Sequence, residues 1–300
     1  MDKSTNIVSP ITNGEVNFLF DISKKIIVNS YLVESNIDVN YLFKNIDVIS
    51  VYECIDTGYR FFYPFHIAGD GPFYEKLEQI SWYYADWKWD YEIAKDFITP
   101  NSSVLDIGCG EGKFLNYLKE NKSCECTGLE LNEKAKQIAV AKGINVLNEF
   151  IQDHAISNSK KYDTVTFFQV LEHISDVNSF LKSTIDVVKS NGKVIIAVPN
   201  NEPFYLTFDK YHFLNLPPHH MGWWNQNSLS SLAKLYNLKL DIIIKQPLEH
   251  FSSYTNSYIN EKLPRIGFLK PILYPMLKIL FYLNRKKING ATILAVYTKL

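Results

Sequence analysis

The chain has 300 residues, 46% hydrophobic and 21% charged, which is enough length and apolar content for one large or two modest domains with a buried core and excludes disorder, collagen and coiled coil. With 31 basic against 32 acidic residues the formal charge is −1, so no global field drives non-specific nucleic-acid binding. The sign is nonetheless unevenly placed: Lys262 to Leu300 holds eight Lys/Arg and no Asp/Glu, leaving −9 on the first 261 residues. Four cysteines (Cys54, Cys109, Cys124, Cys126) show neither the density of a secreted disulfide scaffold nor C-x-x-C spacing, so a reducing cytoplasm is the expected compartment. The opening MDKSTNIVSPITNGEVNF lacks an apolar run of signal-peptide length, and no stretch reaches about 18 uninterrupted apolar residues, so neither export nor a membrane span is expected.

Residues 1–70 carry short β-branched and aromatic runs, Lys25-Ile-Ile-Val, Asp47-Val-Ile-Ser-Val-Tyr and Tyr59-Arg-Phe-Phe-Tyr-Pro, separated by Asn, Asp and Gly. They predict a small β-rich module of strands and turns. Residues 71–98 place apolar side chains at helical spacing and predict one or two aromatic helices. From residue 99 apolar runs (SVLDIG, CTGLEL, INVL, DTVTFF, KVIIAV) alternate with amphipathic stretches at Glu111–Lys122, Asn132–Lys142 and Val177–Lys189. That alternation predicts a parallel sheet covered on both faces. An irregular segment rich in aromatics, Pro and His, 199–226, then leads to a helix at Ser228–Tyr236 and a strand at Lys239–Lys245. An inserted apolar and basic segment, 262–288, and a turn at Asn289-Gly290 precede a final strand, ATILAVYTK.

The sharpest motif is Val104-Leu-Asp106-Ile-Gly108-Cys109-Gly110-Glu-Gly112. An apolar strand runs into alternate glycines and then a helix, whose free N–H groups and close backbone suit a ligand. The dinucleotide pattern Gly-x-Gly-x-x-Gly fails because its third position is Lys113. Asp106 would repel a pyrophosphate and suits a cation. Eighteen residues after Gly112 the next apolar strand ends at Glu130, a carboxylate placed to accept both hydroxyls of a ribose.

Asp-x-Gly-x-Gly-x-Gly followed by a strand ending in an acid resembles the class I S-adenosylmethionine-dependent methyltransferases. The likeness runs on through Phe167-Phe-Gln-Val-Leu-Glu-His173, Asp176 and Gly192-Lys-Val-Ile-Ile-Ala-Val-Pro-Asn200. It implies an α/β, Rossmann-like seven-stranded sheet of order 3-2-1-4-5-7-6 with the last strand antiparallel, over residues 99–300, and S-adenosyl-L-methionine as cofactor. By position, Asp106, Gly108 and Gly110 line the methionine side, with Cys109 in the same turn as lining or small filler. Glu130 holds the ribose, Leu131 lies against adenine, and Asn148 to Phe150 are further adenine candidates. Phe168 and Gln169 fall beside the sulfonium. The aromatic stretch at 82–91 resembles the lid helices of this fold, from which Tyr84, Lys88 and Trp89 would reach the cofactor unless the stripe is core.

For the acceptor, Pro217-Pro-His219-His220-Met-Gly-Trp-Trp224 follows the fifth strand, where His219 or His220 would act as general base or merely brace the loop. Glu172-His173 with a later His resembles the metal-binding pattern of small-RNA 3′-end methyltransferases and coenzyme Q O-methyltransferases. Gln169 replaces the first acid of that pattern, so no metal is expected, and Glu172 and His173 stand at the pocket mouth. The whole arrangement resembles bacterial methyltransferases of surface-glycan synthesis, whose N-terminal cysteine pairs are reduced here to Cys54. This implies methylation of an oxygen, secondarily a nitrogen, of a sugar in a polysaccharide or its nucleotide-linked precursor. The alternatives are a small aromatic or quinone-like acceptor, and a non-catalytic cofactor-binding partner in a glycan-assembly complex. No nucleic-acid partner is expected. The segment 266–287, with Arg285-Lys286-Lys287, is expected to pack on the sheet or pocket, to form a homodimer contact, or to rest on an anionic membrane at its inner face.

Overall fold

A computed structural model describes residues 7–77, 79–80, 87–202, 212–249 and 251–300. The N-terminal part contains β1 (Val16–Ser23), α1 (Lys24–Ser35), β2 (Val48–Cys54) and β3 (Arg60–Tyr63), followed by α2 (Gly71–Leu77) and α3 (Trp89–Ala94). Next come β4 (Ser103–Ile107), α4 (Lys113–Lys122), β5 (Glu125–Leu129), α5 (Glu133–Ala141), β6 (Asn145–Leu147), α6 (Ile151–Ser157), β7 (Tyr162–Phe168), α7 (Val177–Asp186) and β8 (Val188–Pro199). The rest is β9 (Gly222–Trp223), α8 (Gln226–Leu235), β10 (Leu238–Pro247), α9 (Phe251–Lys262), α10 (Lys270–Asn284) and β11 (Asn289–Lys299).

The large sheet has the order β10-β11-β8-β7-β4-β5-β6, with β11 antiparallel to both neighbours. This is the order expected. Two apolar clusters cover its faces, one built around Leu105, Val165 and Ile196, the other around Val104, Phe114 and Ile195. Strand alternation sends neighbouring residues to opposite faces, so a fully buried sheet needs the continuous apolar runs seen in the sequence. The carboxyl ends of β4, β5, β7 and β8 open onto one edge, where such sheets bind ligands.

The second sheet has the order β1-β2-β3-β9. Its fourth strand comes from the 199–226 segment: Arg60 pairs with Trp223 and Phe61 with Gly222. Phe213, Leu216, Met221 and Trp223 of that segment are buried in one cluster with Ile27, Tyr31, Phe43 and Phe62. Residues 1–70 therefore share a core with the acceptor segment.

Three local expectations change. Lys25-Ile-Ile-Val, read as strand, lies in α1. Ser23 caps that helix by accepting from the Lys25 N–H, Asn36 closes it in the left-handed conformation, and Ile27 and Tyr31, one turn apart, are its buried residues. Asn289 and Gly290 open β11, with Asn289 opposite Pro247, and form no turn. The insertion begins at Phe251 and is a helical pair, α9 and α10. Within it Pro264–Lys287 is long and apolar enough to cross a membrane by length and composition, and almost none of it is buried.

Candidate active site

The loop after β4 is held against β5 by Gly108 N and Cys109 N, which both donate to Leu129 O at 2.8 and 3.1 Å. Gly108 has φ +71°, and a Cβ there would fall 2.6 Å from Val170 Cγ2, so both conformation and space demand glycine. Cys109 is buried and its Sγ fills the space beside Gly128, where a Cβ would meet it. It therefore serves as turn filler while its residue also borders the cavity. Glu130 accepts from Gly110 N and from Asn132 N, each at 2.8 Å. Its carboxylate thereby ties the glycine loop to the start of α5 at the edge of the cavity. Leu131 and Phe150, 52% and 59% exposed, flank the same opening as apolar surface. Asn148 donates to the carbonyls of Glu130 and Leu131 at 3.1 and 2.8 Å, which makes it a brace for that shelf.

Asp106 does not line the cavity. It is buried beneath the loop, accepting from Thr166 Oγ1 at 2.7 Å, and burial pushes its carboxyl up to about 7. The folded chain therefore holds a proton that the unfolded chain releases near its usual value of about 4. Its contribution to stability is present at low pH, declines between about pH 4 and 7, and is gone above. Asp106→Asn, which can still accept from Thr166, should flatten that decline and melt higher than the wild type at pH 8. A melting difference that does not widen from pH 5 to pH 8 would remove burial of this carboxyl as its cause.

Of the lid candidates, Tyr84 lies outside the described residues. Trp89 packs, partly buried, on the cluster around Tyr91 and Ala94 and does not line the cavity. Its neighbours do: Lys88 Nζ stands 5.5 Å from the Tyr91 ring centroid, and Tyr91 contacts the rings of Phe114 and Phe168, both at 5.1 Å. Tyr91 was missed from the sequence, although Trp87 and Tyr91 stand at i,i+4 and touch at 5.6 Å. Gln169, with φ +57°, donates through Nε2 to the buried Asp90 Oδ2 at 3.2 Å. Burial raises the Asp90 carboxyl above its usual value. A carboxylate at 169 would face that group directly, which accounts for the amide.

On the acceptor side the structure brings Glu172, His173, His219 and His220 together. One ring nitrogen of each histidine lies within 4.8 Å of the others. Glu172 Oε1 is 3.8 Å from His173 Nε2 and 3.9 Å from His220 Nε2. Nδ1 of His173 faces His219 O at 2.6 Å, Nδ1 of His219 faces Leu214 O at 2.9 Å, and Nδ1 of His220 faces Asn215 Oδ1 at 3.2 Å. In neutral rings these acceptors select the Nδ1–H tautomer and leave Nε2 basic. Burial lowers His173 to about 4 and holds His219 and His220 well below the usual imidazole value. Both adjacent histidines line the cavity, so position alone does not separate the two candidate bases. The N-terminal part braces the histidine segment, with Tyr31 Oη donating to Leu216 O at 3.0 Å and accepting from His219 N at 3.3 Å, and the segment in turn holds Glu172 O through Met221 N at 2.7 Å.

Glu172 is 1% exposed and neither carboxylate oxygen has a hydrogen-bond partner among the described residues. Burial pushes it up to about 8, so without a counter-charge it carries a proton at neutral pH. Three imidazoles and an orphaned buried carboxylate are a donor set that fits a divalent cation, although the sequence pattern gave reason to expect none.

The glycine loop, Glu130, Phe168, Gln169, Glu172 and the three histidines line a single cavity of about 1080 Å³, near the upper end of small-molecule sites. This sheet, with its glycine loop and the carboxylate at the end of the second strand, is that of a class I S-adenosylmethionine-dependent methyltransferase. The sequence model of the methyltransferase domain family matches residues 84–241, just over half of the chain, and the chain belongs to that family. Among curated relatives, the ubiquinone biosynthesis O-methyltransferase of Serratia proteamaculans is 32% identical over 106 residues, covering 33% of this chain and 44% of that protein. The protein of the same name from Proteus mirabilis is 31% identical over 124 residues, covering 38% and 50%. The chain thus spans about half the length of these relatives. A SAM-dependent methyltransferase from Archaeoglobus fulgidus shares the fold, with a TM-score of 0.53 at 19% identity over 75% of this chain and all of that one.

Proposed function

We propose that the protein O-methylates a small molecule carrying an aromatic or quinol-type hydroxyl, in the cytoplasm. The observation that carries this reading is the depth of the acceptor cluster. Glu172, His219 and His220 line the cavity although each is buried, beside Tyr74, Ile174 and Leu214. A flat ring carrying one hydroxyl can slide into such a buried site, whereas a sugar within a polymer brings bulk on both sides of the reacting hydroxyl. The ubiquinone O-methyltransferase relatives support the same acceptor class over the glycan suggested by whole-chain resemblance.

In the reaction the acceptor oxygen attacks the methyl carbon, the C–S bond breaks, and sulfur keeps the electron pair as S-adenosylhomocysteine departs. The hydroxyl proton passes to Nε2 of His219 or His220, and Glu172, whose own proton leaves to solvent as the imidazolium forms beside it, balances that charge. Alignment by the loop and by Glu130 can supply roughly 7–11 kcal/mol. Glu172, His173, His219 and His220 are the residues that would hold a divalent cation. When bound, it would supply positive charge to stabilise the deprotonated acceptor oxygen.

The test is S-adenosylhomocysteine formation by the purified chain with a panel of catechols, phenols and reduced quinones, beside nucleotide sugars and cell glycans. Product on the phenolic panel is the expected result. Turnover confined to the sugars would overturn the assignment.

A further inference from the structure

The helical pair between β10 and β11 leaves one side bare. α9 and α10 meet along a seam of rings: Phe281 lies 4.6 Å from Tyr254 and 5.2 Å from Tyr258, and Phe251 lies 5.5 Å from Tyr282. Away from that seam Ile272, Met276, Ile279 and Leu283, spaced four, three and four residues apart, are 61–71% exposed, and Phe268 before them is 78% exposed. The stripe runs roughly 20 Å along the helix. Folded monomers seldom leave such a continuous apolar strip in water.

Charge says what covers it. Residues 262–300 contain eight basic and no acidic side chains, and Lys286 and Lys287, just past the stripe, are exposed. A second copy in the usual twofold arrangement would bring like charges together, whereas an anionic surface attracts them. We propose that α10 docks the protein on anionic phospholipid, lying in the interface plane with Ile272, Met276, Ile279 and Leu283 among the acyl chains and Lys286 and Lys287 at the headgroups. The segment lies on the bilayer and does not cross it. Its other face is packed on α9, whose sequence FSSYTNSYINEK is too polar to follow it into hydrocarbon. Ala291 and Thr292, a few residues past the pair, line the catalytic cavity, so docking brings that cavity to the lipid.

Co-sedimentation of the full chain with phosphatidylcholine vesicles, with and without about one third phosphatidylglycerol, decides it. Binding should require the anionic lipid, fall with salt, and drop about fivefold in partition for each of Lys286→Glu and Lys287→Glu beyond the loss from neutralisation alone. Ile272→Ser with Ile279→Ser should abolish it while S-adenosylhomocysteine binding, the check on folding, stays intact. Protein that remains in the supernatant at low salt overturns the proposal. So does vesicle attachment that resists alkaline carbonate, which would mean spanning, or a dimer in solution that the serine variants dissociate without any vesicle binding.

Discussion

Glu130→Ala should weaken S-adenosylhomocysteine binding by at least about 2 kcal/mol, roughly thirtyfold. The carboxylate performs two tasks at once. It accepts from Gly110 N and Asn132 N, tying the glycine loop to the start of α5, and it lines the cavity where the ribose is expected. Alanine removes the charge-assisted bonds to the diol and leaves two backbone donors without partners. Glu130→Gln keeps an acceptor oxygen for one of those donors and should lose less. Titration calorimetry measures both, and an unchanged affinity for the alanine variant would place the ribose elsewhere.

Glu172→Gln should lower turnover about a hundredfold or more on whichever phenolic acceptor the panel identifies, with S-adenosylhomocysteine affinity unchanged. The amide keeps the volume of the side chain but cannot balance an imidazolium or serve as an anionic metal ligand. Its melting temperature should equal or exceed that of the wild type, because an ionisable group buried without partners costs stability. Loss of activity without loss of stability is the signature of a group kept for chemistry. Direct titration with Mn²⁺ or Zn²⁺ adds a readout independent of turnover: binding seen in the wild type should vanish in this variant and in His173→Ala. Normal turnover at saturating acceptor would remove Glu172 from the reaction.

The cofactor half was readable from the sequence because its chemistry is local. A glycine that needs φ +71°, the strand before it and an acid at the next strand end are all set by near neighbours, and the structure places Gly108, Gly110 and Glu130 together. Asp106 was read as lining because sequence order cannot show that Thr166, sixty residues on, turns its carboxyl inward. The acceptor half depends on distance along the chain. His219 is held by Tyr31, 188 residues earlier, so while resemblance grouped Glu172 and His173 with a later His, no spacing near Pro217-Pro-His-His could reveal that His219 and His220 both join them. Gln169 looked like a lost metal ligand until Asp90 appeared opposite it. In α1 the β-branched run Ile26-Ile-Val outweighed the cap at Ser23, and the one-turn pair Ile27 and Tyr31 went unread.

The strand that Gly222 and Trp223 add to the N-terminal sheet bears on how such a protein can be taken apart or recombined. Cutting before residue 70 would strip the cover from Phe213, Leu216, Met221 and Trp223, so the shortened chain should aggregate even though every strand of the large sheet survives. By the same reasoning a chimera that exchanges the first 70 residues alone would inherit a mismatched seam, whereas one that exchanges them together with 212–224 would carry that seam intact, with His219 and His220, onto a foreign large sheet. The exchangeable packing unit in this protein is thus discontinuous, two stretches far apart in the chain that can change only in concert.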